Sequence, residues 1–130
     1  MDGHGELSPG ARAVEYLEAL AAQDWPLVEA SLSAQIRRRG PFGDDFVGTE
    51  AYLAFLRRTI PGLPGYRLDV DRVTESGPNR CFVELRETIT VEGAPMVTHE
   101  CLVFDLDGAR RIAEVAIYIR QDPAPAASPR

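Results

Sequence analysis

Apolar residues recur at helical spacing through the first part of the chain. Ser8 followed by Pro9 is a helix-start signal, because a serine hydroxyl can accept from the first free N–H groups and proline fits the first turn. The pattern predicts an amphipathic helix that continues through Ala22. Its apolar positions are Ala13, Val14, Leu17, Leu20 and Ala21. Asp24 is placed to cap a second, short helix with Pro26 in its first turn. The apolar residues of that helix are Trp25, Leu27, Val28 and Leu32. The two helices are expected to pack as a helical hairpin.

The middle of the chain predicts a third helix, and everything after it reads as strand. A short extended piece at 36–39 leads into a turn-rich segment at 40–45. Thr49 then caps a helix that continues to Ile60, where a Pro-Gly pair ends it. The β-rich segments that follow are 66–73, 80–91, 97–106 and 111–120. Helices followed by an antiparallel meander predict the α+β class.

Two glutamates interrupt the apolar alternation of neighbouring predicted strands. Along 83–91 the odd positions face inward and are apolar except at Glu87. Along 98–106 the even positions from 102 onward are apolar, and the same parity places Glu100 inside. A symmetric hairpin around the turn at 92–95 places the two glutamates directly opposite each other on the buried face. That register pairs Leu85 with Leu102 and Val83 with Phe104.

Two carboxylates that face each other in a low dielectric cannot both ionise at low cost. One of the pair is therefore expected to hold its proton near neutral pH, which places an acid beside a base. The alternative is that Glu87 and Glu100 lie at the open rim of the sheet, where water or an arginine satisfies them. A one-residue bulge would also reverse the face on which they lie.

Composition and charge narrow the class of protein. The chain has 130 residues, which fits one domain with a single core. It carries 14 Lys plus Arg against 20 Asp plus Glu, a net charge of -6, which argues against nucleic acid or an anionic membrane as a partner. The domain is predicted over 8–121. The low-complexity tails at 1–7 and 122–130 are expected to be disordered.

Signals for export, a membrane span or a cofactor are missing from the sequence. The first residues have neither a basic nor an apolar region, and no apolar run approaches the roughly 20 residues that a bilayer needs. We therefore expect a cytoplasmic location. Cys81 and Cys101 are spaced for neither zinc nor a redox pair, so two buried free thiols are expected. The sequence has no phosphate-binding glycine loop, metal cluster or Ser-His-Asp arrangement, and no cofactor is implied.

Four short motifs occur in the order found in one fold family. They are Tyr16 in the first helix, the segment Gly40-Pro41-Phe42-Gly43, the helix start at Gly48, and the strand segment from Glu100 to Phe104. With the order of helices and strands, they resemble the nuclear transport factor two-like superfamily, and within it the ketosteroid isomerases and SnoaL-like polyketide cyclases. The resemblance covers nearly the whole chain. It implies a cone-shaped roll of three N-terminal helices packed on a curved, mainly antiparallel sheet of four to six strands, with a pocket plugged by the first helix.

The same resemblance implies roles for individual residues. Tyr16 falls where the isomerases place a tyrosine that donates a hydrogen bond to the developing oxyanion, and Glu100 falls where they keep a protonated aspartic acid with the same task. Their catalytic base aligns with Gly40, which has no side chain, so Glu87 is the substitute base by position. Limonene epoxide hydrolases, another branch of this fold, need an arginine and two aspartates on the inner strands. The last strand here offers Val115, Ile117 and Ile119 instead, so that chemistry ranks lower.

The leading hypothesis is a cofactor-independent enzyme of small-molecule metabolism. Glu87 would abstract or shuttle a proton beside a carbonyl while Glu100 and Tyr16 stabilise the enolate, giving isomerisation, aldol-type cyclisation or dehydration. The expected ligand is a small, largely apolar carbonyl compound such as a polyketide, steroid-like or terpenoid metabolite. The residues expected to bind it are Arg38, Phe42, Leu85, Ile89, Leu102, Phe104, Val115, Ile117 and Ile119. The rival hypothesis is a non-catalytic ligand-binding or dimerisation module of the same fold.

The roles of two polar residues near this pocket can each be interpreted in two ways. Tyr16 either donates a hydrogen bond to the oxyanion or is a packing residue whose hydroxyl contacts water. Arg38 shares its strand face with Ile36, so it either points inward and pairs with a glutamate or belongs to a solvated edge run with Arg37 and Arg39.

Other polar residues are expected to lie outside the pocket or at its mouth. His99 is on the opposite strand face from Glu100 and is expected to contact a helix, a partner subunit or water. Asp44 and Asp45 are most simply a loop at the mouth, where a carboxylate could also serve as a general base. The resemblance implies a homodimer formed through the outer sheet face. The residues expected on that face are Arg86, Thr88, His99, Val103, Ala116 and Tyr118.

Overall fold

The computed structural model describes residues 7–121. Within that range the chain forms three α-helices followed by, and interleaved with, the strands of one sheet. The helices are α1 (Pro9–Ala22), α2 (Trp25–Ser31) and α3 (Thr49–Thr59), and a short 3-10 turn, Ile60–Gly62, follows α3. The strands are β1 (Leu32–Arg39), β2 (Phe46–Val47), β3 (Arg67–Ser76), β4 (Arg80–Val91), β5 (Ala94–Leu106) and β6 (Ile112–Arg120). The predicted α+β class is confirmed. The predicted tails lie outside the described residues except for Leu7, whose carbonyl accepts from Arg110 Nη2 at 3.0 Å.

The helix starts follow from the capping residues with one exception. Ser8 Oγ accepts from the N–H of Ala11 at 3.1 Å, and Asp24 Oδ1 accepts from the N–H of Leu27 at 3.3 Å. The prediction that Thr49 caps α3 is wrong. Gly48 is the cap, and the Thr49 hydroxyl instead donates to the Ser33 carbonyl at 2.7 Å. This bond fixes the start of α3 against β1.

The strands form one mixed sheet in the order β2-β1-β6-β5-β4-β3. The pair β1–β6 is parallel and the other neighbours are antiparallel. Leu32, which the sequence pattern assigned to α2, is the first residue of β1 and is buried. The parallel pairing places Arg38 beside Val115, so the strand after α2 lies between β2 and β6.

The register of the β4–β5 hairpin differs from the predicted one by two residues. The turn consists of Glu92 and Gly93 alone, with φ of 51° and 80°, because Val91 already pairs with Ala94. A two-residue turn with positive φ at both positions matches the twist of antiparallel strands, and glycine adopts it without strain. The predicted turn at 92–95 was therefore two residues too long. The observed register pairs Leu85 with Glu100 and Glu87 with Thr98, and Val83 pairs with Leu102 instead of Phe104.

A shift of two residues preserves the face on which every side chain lies, because the side-chain period of a strand is two. Glu87 and Glu100 therefore share the inner face as predicted, but as diagonal neighbours and not as a direct pair. The one break in the β3–β4 register, between Val70 and Arg72, lies outside this region.

The core fills the space between the helices and one face of the sheet. α1 packs against β3, β4 and β5, while α3 packs against β1 and β2. Tyr16, Leu17, Ile36, Leu85 and Phe104 are each at most 1% exposed. Because α1 and α3 cover different strands, a gap stays open between them over the inner face. Among the helices of the described residues, none is long and apolar enough to span a membrane.

Candidate functional site

A pocket of about 210 Å³ lies between α1, α3, the inner sheet face and the loop after β1. Most of its wall is apolar. Its ionisable side chains come from six different parts of the chain, which the fold brings together. They are Tyr16, Arg38, Asp44, Tyr52, Glu87 and Glu100.

The two glutamates form the acidic end of the pocket. Glu100 is held neutral around physiological pH, because desolvation, a hydrogen bond with the Glu87 carboxyl and the nearby Glu87 charge raise the pKa of Glu100 to about 9. Arg38 opposes this shift from a distance and does not cancel it. Glu87 in turn accepts a hydrogen bond from the Tyr66 hydroxyl. The pair therefore holds one proton between two carboxyl groups that line the pocket.

Two buried tyrosines meet next to this end. The hydroxyls of Tyr16 and Tyr52 are 2.6 Å apart, which makes them hydrogen-bond partners. Burial, with the neighbouring Tyr52 hydroxyl, raises the pKa of Tyr16 well above its ordinary value, so Tyr16 acts as a neutral donor. Its ring packs edge-to-face on Phe104, with centroids 6.0 Å apart and planes at 70°. One hydroxyl proton is used between the two tyrosines, and the second is available to a ligand.

Arg38 lies inside, as one of its two sequence interpretations predicted, but it does not pair with a glutamate. Its Nη1 donates to the Asp44 carbonyl and to Asp44 Oδ2, both at 2.7 Å. The guanidinium carbon is 5.0 Å from the ring centroid of Phe55 and 5.9 Å from those of Phe46 and Tyr52. Its buried Nε has no hydrogen-bond partner among the described residues and lies among these rings. The expected Arg38–glutamate pair is thus replaced by an Arg38–Asp44 pair, because the loop after β1 places Asp44 Oδ2 2.7 Å from Arg38 Nη1.

The pocket wall contains most of the residues that the sequence proposed. Lining residues that were predicted are Tyr16, Arg38, Phe42, Leu85, Glu87, Glu100, Leu102, Ile117 and Ile119. Three predicted lining residues are not part of the wall. Phe104 and Val115 are buried beneath it, at 0% and 1% exposure, because the helices cover that part of the sheet. Ile89 lies opposite Met96 towards the hairpin end, beyond the pocket.

Sequence reasoning missed two tyrosines of this site. Tyr52 faces inward from α3 and is 3% exposed, and no spacing rule separates it from an ordinary core residue. Tyr66 precedes β3, and the pairing of Leu68 with Glu87 places it near Glu87. The alternation of Tyr66 with Leu68 was a usable signal for an inward tyrosine. His99 lies between Arg86 and Arg120 in the sheet register, on the outer face, and does not line the pocket.

No group of three or more His, Cys, Asp or Glu side chains within residues 7–121 is arranged to hold a metal ion. The two cysteines are unpaired, with Cys81 buried and Cys101 half-buried on the outer face. Burial raises the pKa of the Cys81 thiol to about 12, so it is not a thiolate. The chemistry that the pocket residues support is proton transfer by carboxyl and phenol groups.

The fold is thus an α+β cone whose pocket carries a carboxyl pair and buried tyrosines. The family model described as SnoaL-like domain matches residues 13–115. The chain therefore belongs to the SnoaL-like family. No curated protein matches its sequence.

Solved structures share the fold at low sequence identity. An NTF2-like protein of unknown function from Burkholderia pseudomallei K96243 is 24% identical, with a TM-score of 0.73 over 84% of this chain and 88% of that one. An LEH-like epoxide hydrolase from M. tuberculosis is 20% identical, with a TM-score of 0.74 over 86% and 82%. A protein with a ketosteroid isomerase-like fold from Catenulispora acidiphila, solved in complex with trimethylamine, is 13% identical, with a TM-score of 0.73 over 86% of each chain. At these identities the similarity establishes the fold.

Proposed function

We propose that this protein is a cofactor-independent enzyme that uses acid–base catalysis on a small, largely apolar carbonyl compound. The reaction is an isomerisation, a cyclisation or a dehydration that passes through an enolate. Glu100 and Tyr16 donate hydrogen bonds to the carbonyl oxygen, and Glu87 abstracts or shuttles a proton beside it. Arg38, Phe42, Leu85, Leu102, Ile117 and Ile119 form the wall that holds the substrate.

The observation that carries this proposal is the placement of Glu100 and Glu87 together in the wall of a largely apolar pocket. A neutral carboxylic acid next to a second carboxyl group, in a largely apolar pocket, can donate a hydrogen bond at neutral pH. A solvated rim glutamate would be ionised at that pH and would have no proton to give. The neighbouring Tyr16 hydroxyl adds a second neutral donor that also keeps its proton.

The size of the pocket limits the substrate. Pockets for drug-sized ligands measure about 300–1,000 Å³, and this one measures about 210 Å³. Compact terpenoid or short polyketide compounds of one or two rings fit this volume better than a four-ring steroid. Epoxide hydrolysis is disfavoured because the inner positions of β6 at the pocket carry Ile117 and Ile119 and no carboxylate.

The first experiment is a titration of the Glu87 and Glu100 carboxyl carbons by isotope-edited NMR, with each signal assigned by its Gln variant. We expect Glu100 to titrate near 9. In the Glu87→Gln protein the Glu100 midpoint should fall, because the neighbouring negative charge is gone. A Glu100 midpoint near the ordinary value of about 4.3 contradicts the proposal, since Glu100 would then be a solvated carboxylate.

The second candidate function is a non-catalytic small-ligand-binding module. The observation that favours it is that Arg38 and Asp44 form an ion pair, so part of the polar pocket is paired without a ligand. Both candidates predict that small apolar ketones raise the melting temperature. Only the enzyme hypothesis predicts that product accumulates.

A homodimer in the cytoplasm completes the proposal. Tyr118, on the outer face of β6, is 57% exposed and would be covered by a partner subunit. Light scattering after size exclusion should give twice the chain mass, and Tyr118→Glu should give the monomer because it places a charge in the contact. Val47→Glu is the matched control, since Val47 is 70% exposed on the short edge strand β2. A wild-type protein that elutes as a monomer at micromolar concentration contradicts this assignment.

A further inference from the structure

A tyrosine outside the pocket wall contacts one member of the carboxyl pair. Tyr66 does not line the pocket, and its hydroxyl donates a hydrogen bond to Glu87 Oε2. This bond leaves Oε1 of Glu87 free for other partners. Both glutamates line the pocket, but the phenol is bonded to Glu87 and not to Glu100. The contact therefore makes the two carboxyl groups unequal.

The strand register brings Tyr66 to Glu87. Leu68 pairs directly with Glu87, and Tyr66 comes two residues before Leu68, so it lies on the same face of the sheet. A residue two positions from the direct partner is a diagonal neighbour, which a long side chain such as tyrosine can reach. The pairing of β3 with β4 thus directs the phenol to this carboxyl group.

The chain just before Tyr66 is fixed to β4. The Thr90 N–H donates to the Pro64 carbonyl at 2.7 Å. Gly65 has a φ of 63°, and a Cβ atom at this position would lie 2.3 Å from Thr90 Oγ1. The left-handed backbone and the close approach both require glycine here. The packing of this turn on β4 therefore sets where the Tyr66 hydroxyl lies.

Tyr66 is a donor that keeps its own proton. Burial, with the Glu87 charge and the hydrogen bond to Glu87, raises the pKa of Tyr66, so the phenol stays neutral. Its ring is half-buried and packs against the core. A neutral hydroxyl that donates to a carboxyl group stabilises the ionised form of that group. The bond therefore favours negative charge on Glu87 over negative charge on Glu100.

Four other charged or titratable groups line the pocket with the pair. They are Tyr16 on α1, Arg38 on β1, Asp44 on the loop after β1 and Tyr52 on α3. Arg38 is paired with Asp44, and the two tyrosine hydroxyls are bonded to each other. Arg38 acts to lower the pKa of Glu100, which opposes a proton there. Desolvation of Glu100 is the largest cause that keeps its proton in place, and the Tyr66 bond adds to it at the other carboxyl group.

We propose that Tyr66 is the positioning residue of the carboxyl pair, because its hydroxyl holds Glu87 as the ionised acceptor and so assigns the shared proton to Glu100. The consequence for catalysis rests on the proposed function. Glu87 can then take the proton beside the carbonyl while the C–H electron pair becomes the C=C bond of the enolate. Glu100 donates a hydrogen bond to the oxygen that takes the negative charge. Return of the proton from Glu87 to another carbon completes an isomerisation without a co-reactant.

The direct test is the carboxyl carbon signal of each glutamate at neutral pH, measured by isotope-edited NMR. The wild type should show Glu87 as a carboxylate and Glu100 as an acid. Tyr66→Phe keeps the ring and removes only the donor, so the Glu87 signal should move towards the acid and the Glu100 signal towards the carboxylate. The ratio of the two proton placements should change about ten- to a hundredfold, as expected for a lost hydrogen bond to a charged group. Unchanged signals would overturn the proposal.

Gly65→Ala displaces the phenol without removing it. The added methyl group would meet Thr90 Oγ1, and alanine disfavours the φ of 63°, so the turn before Tyr66 must shift. We expect both carboxyl signals to move in the same directions as in Tyr66→Phe. Thr90→Ala is the matched control, because it leaves the backbone bond to Pro64 in place and should give wild-type signals. Thr90→Ala signals that move as far as those of Tyr66→Phe would count against the assignment.

Turnover gives a second readout. The probe is a panel of one- and two-ring ketones, with and without a β,γ double bond, and enolisation is followed as deuterium uptake from D₂O. We expect Tyr66→Phe to lower kcat about ten- to a hundredfold and to leave KM within about twofold, because Tyr66 does not line the pocket. A tyrosine with only a structural role would change the melting temperature and leave the carboxyl signals as they are.

The two readouts separate this inference from the proposed function. If the wild type exchanges the ketones and Tyr66→Phe keeps both its kcat and its carboxyl signals, the role of Tyr66 is overturned and the proposed function stands. If no ketone of the panel reacts with the wild type but the signals move as expected in Tyr66→Phe, the proposed function is overturned and Tyr66 still assigns the proton.

Discussion

Glu87→Gln is expected to lower the turnover of a small carbonyl substrate by at least about a hundredfold, the lower end of what general acid–base groups contribute. The reason is that Glu87 and Glu100 work as one unit. Desolvation, together with the Glu87 carboxyl, keeps Glu100 protonated, and Glu87 receives a hydrogen bond from Tyr66. An amide at position 87 cannot exchange a proton and removes the charge that holds the Glu100 proton in place.

The measurement is kcat and KM for the wild type, Glu87→Gln and Glu84→Gln under the same conditions. Glu84 is a matched control because it lies on the same strand but on the outer face, where it pairs with Arg72 at 2.6 Å. Glu84→Gln should behave as the wild type, because an exposed ion pair contributes little. A fully active Glu87→Gln protein would remove the carboxyl pair from the mechanism.

Phe104→Ala is expected to destabilise the protein by about 3–5 kcal/mol, the usual loss for a fully buried phenylalanine. Phe104 is 0% exposed, and its ring supports Tyr16 from below. The cavity left behind would remove both the packing of the ring and the edge-to-face contact. Since domains of this size are stable by about 5–15 kcal/mol, this substitution removes a large part of the total.

Chemical denaturation of wild type, Phe104→Ala and Ile89→Ala measures this difference. Ile89 is only half-buried near the hairpin end, so Ile89→Ala should cost about 1 kcal/mol or less. The comparison distinguishes a core residue, Phe104, from a peripheral one, Ile89. The alternation along the strands assigns both residues to the inner face and does not distinguish them. Equal losses for the two variants would contradict the placement of Phe104 beneath the pocket.

Much of the fold could be predicted because its signals are local. The Ser8 and Asp24 caps mark the starts of α1 and α2, and both capping bonds are present. Arg80–Val91 is a strand with the predicted bounds. Such features depend on neighbouring residues along the chain, and the rest of the molecule hardly alters them.

The candidate site was predictable only in part. The alternation of side chains along β4 and β5 correctly predicted that Glu87 and Glu100 lie on one face of the sheet. It did not predict which residues pair across the hairpin. The turn at Glu92 and Gly93 sets the register, and a two-residue and a four-residue turn preserve the same parity. The sequence pattern therefore could not distinguish a direct pair from a diagonal one.

The sequence by itself determined the helices, the strands and the inner face on which the glutamates lie, because side-chain direction along a strand is fixed by local geometry. The tertiary structure decided which groups meet. It brought Tyr52 to Tyr16 and Tyr66 to Glu87, and it paired Arg38 with Asp44. Protonation states depend on burial and on charges that arrive from distant parts of the chain, so only the folded molecule assigns the proton to Glu100.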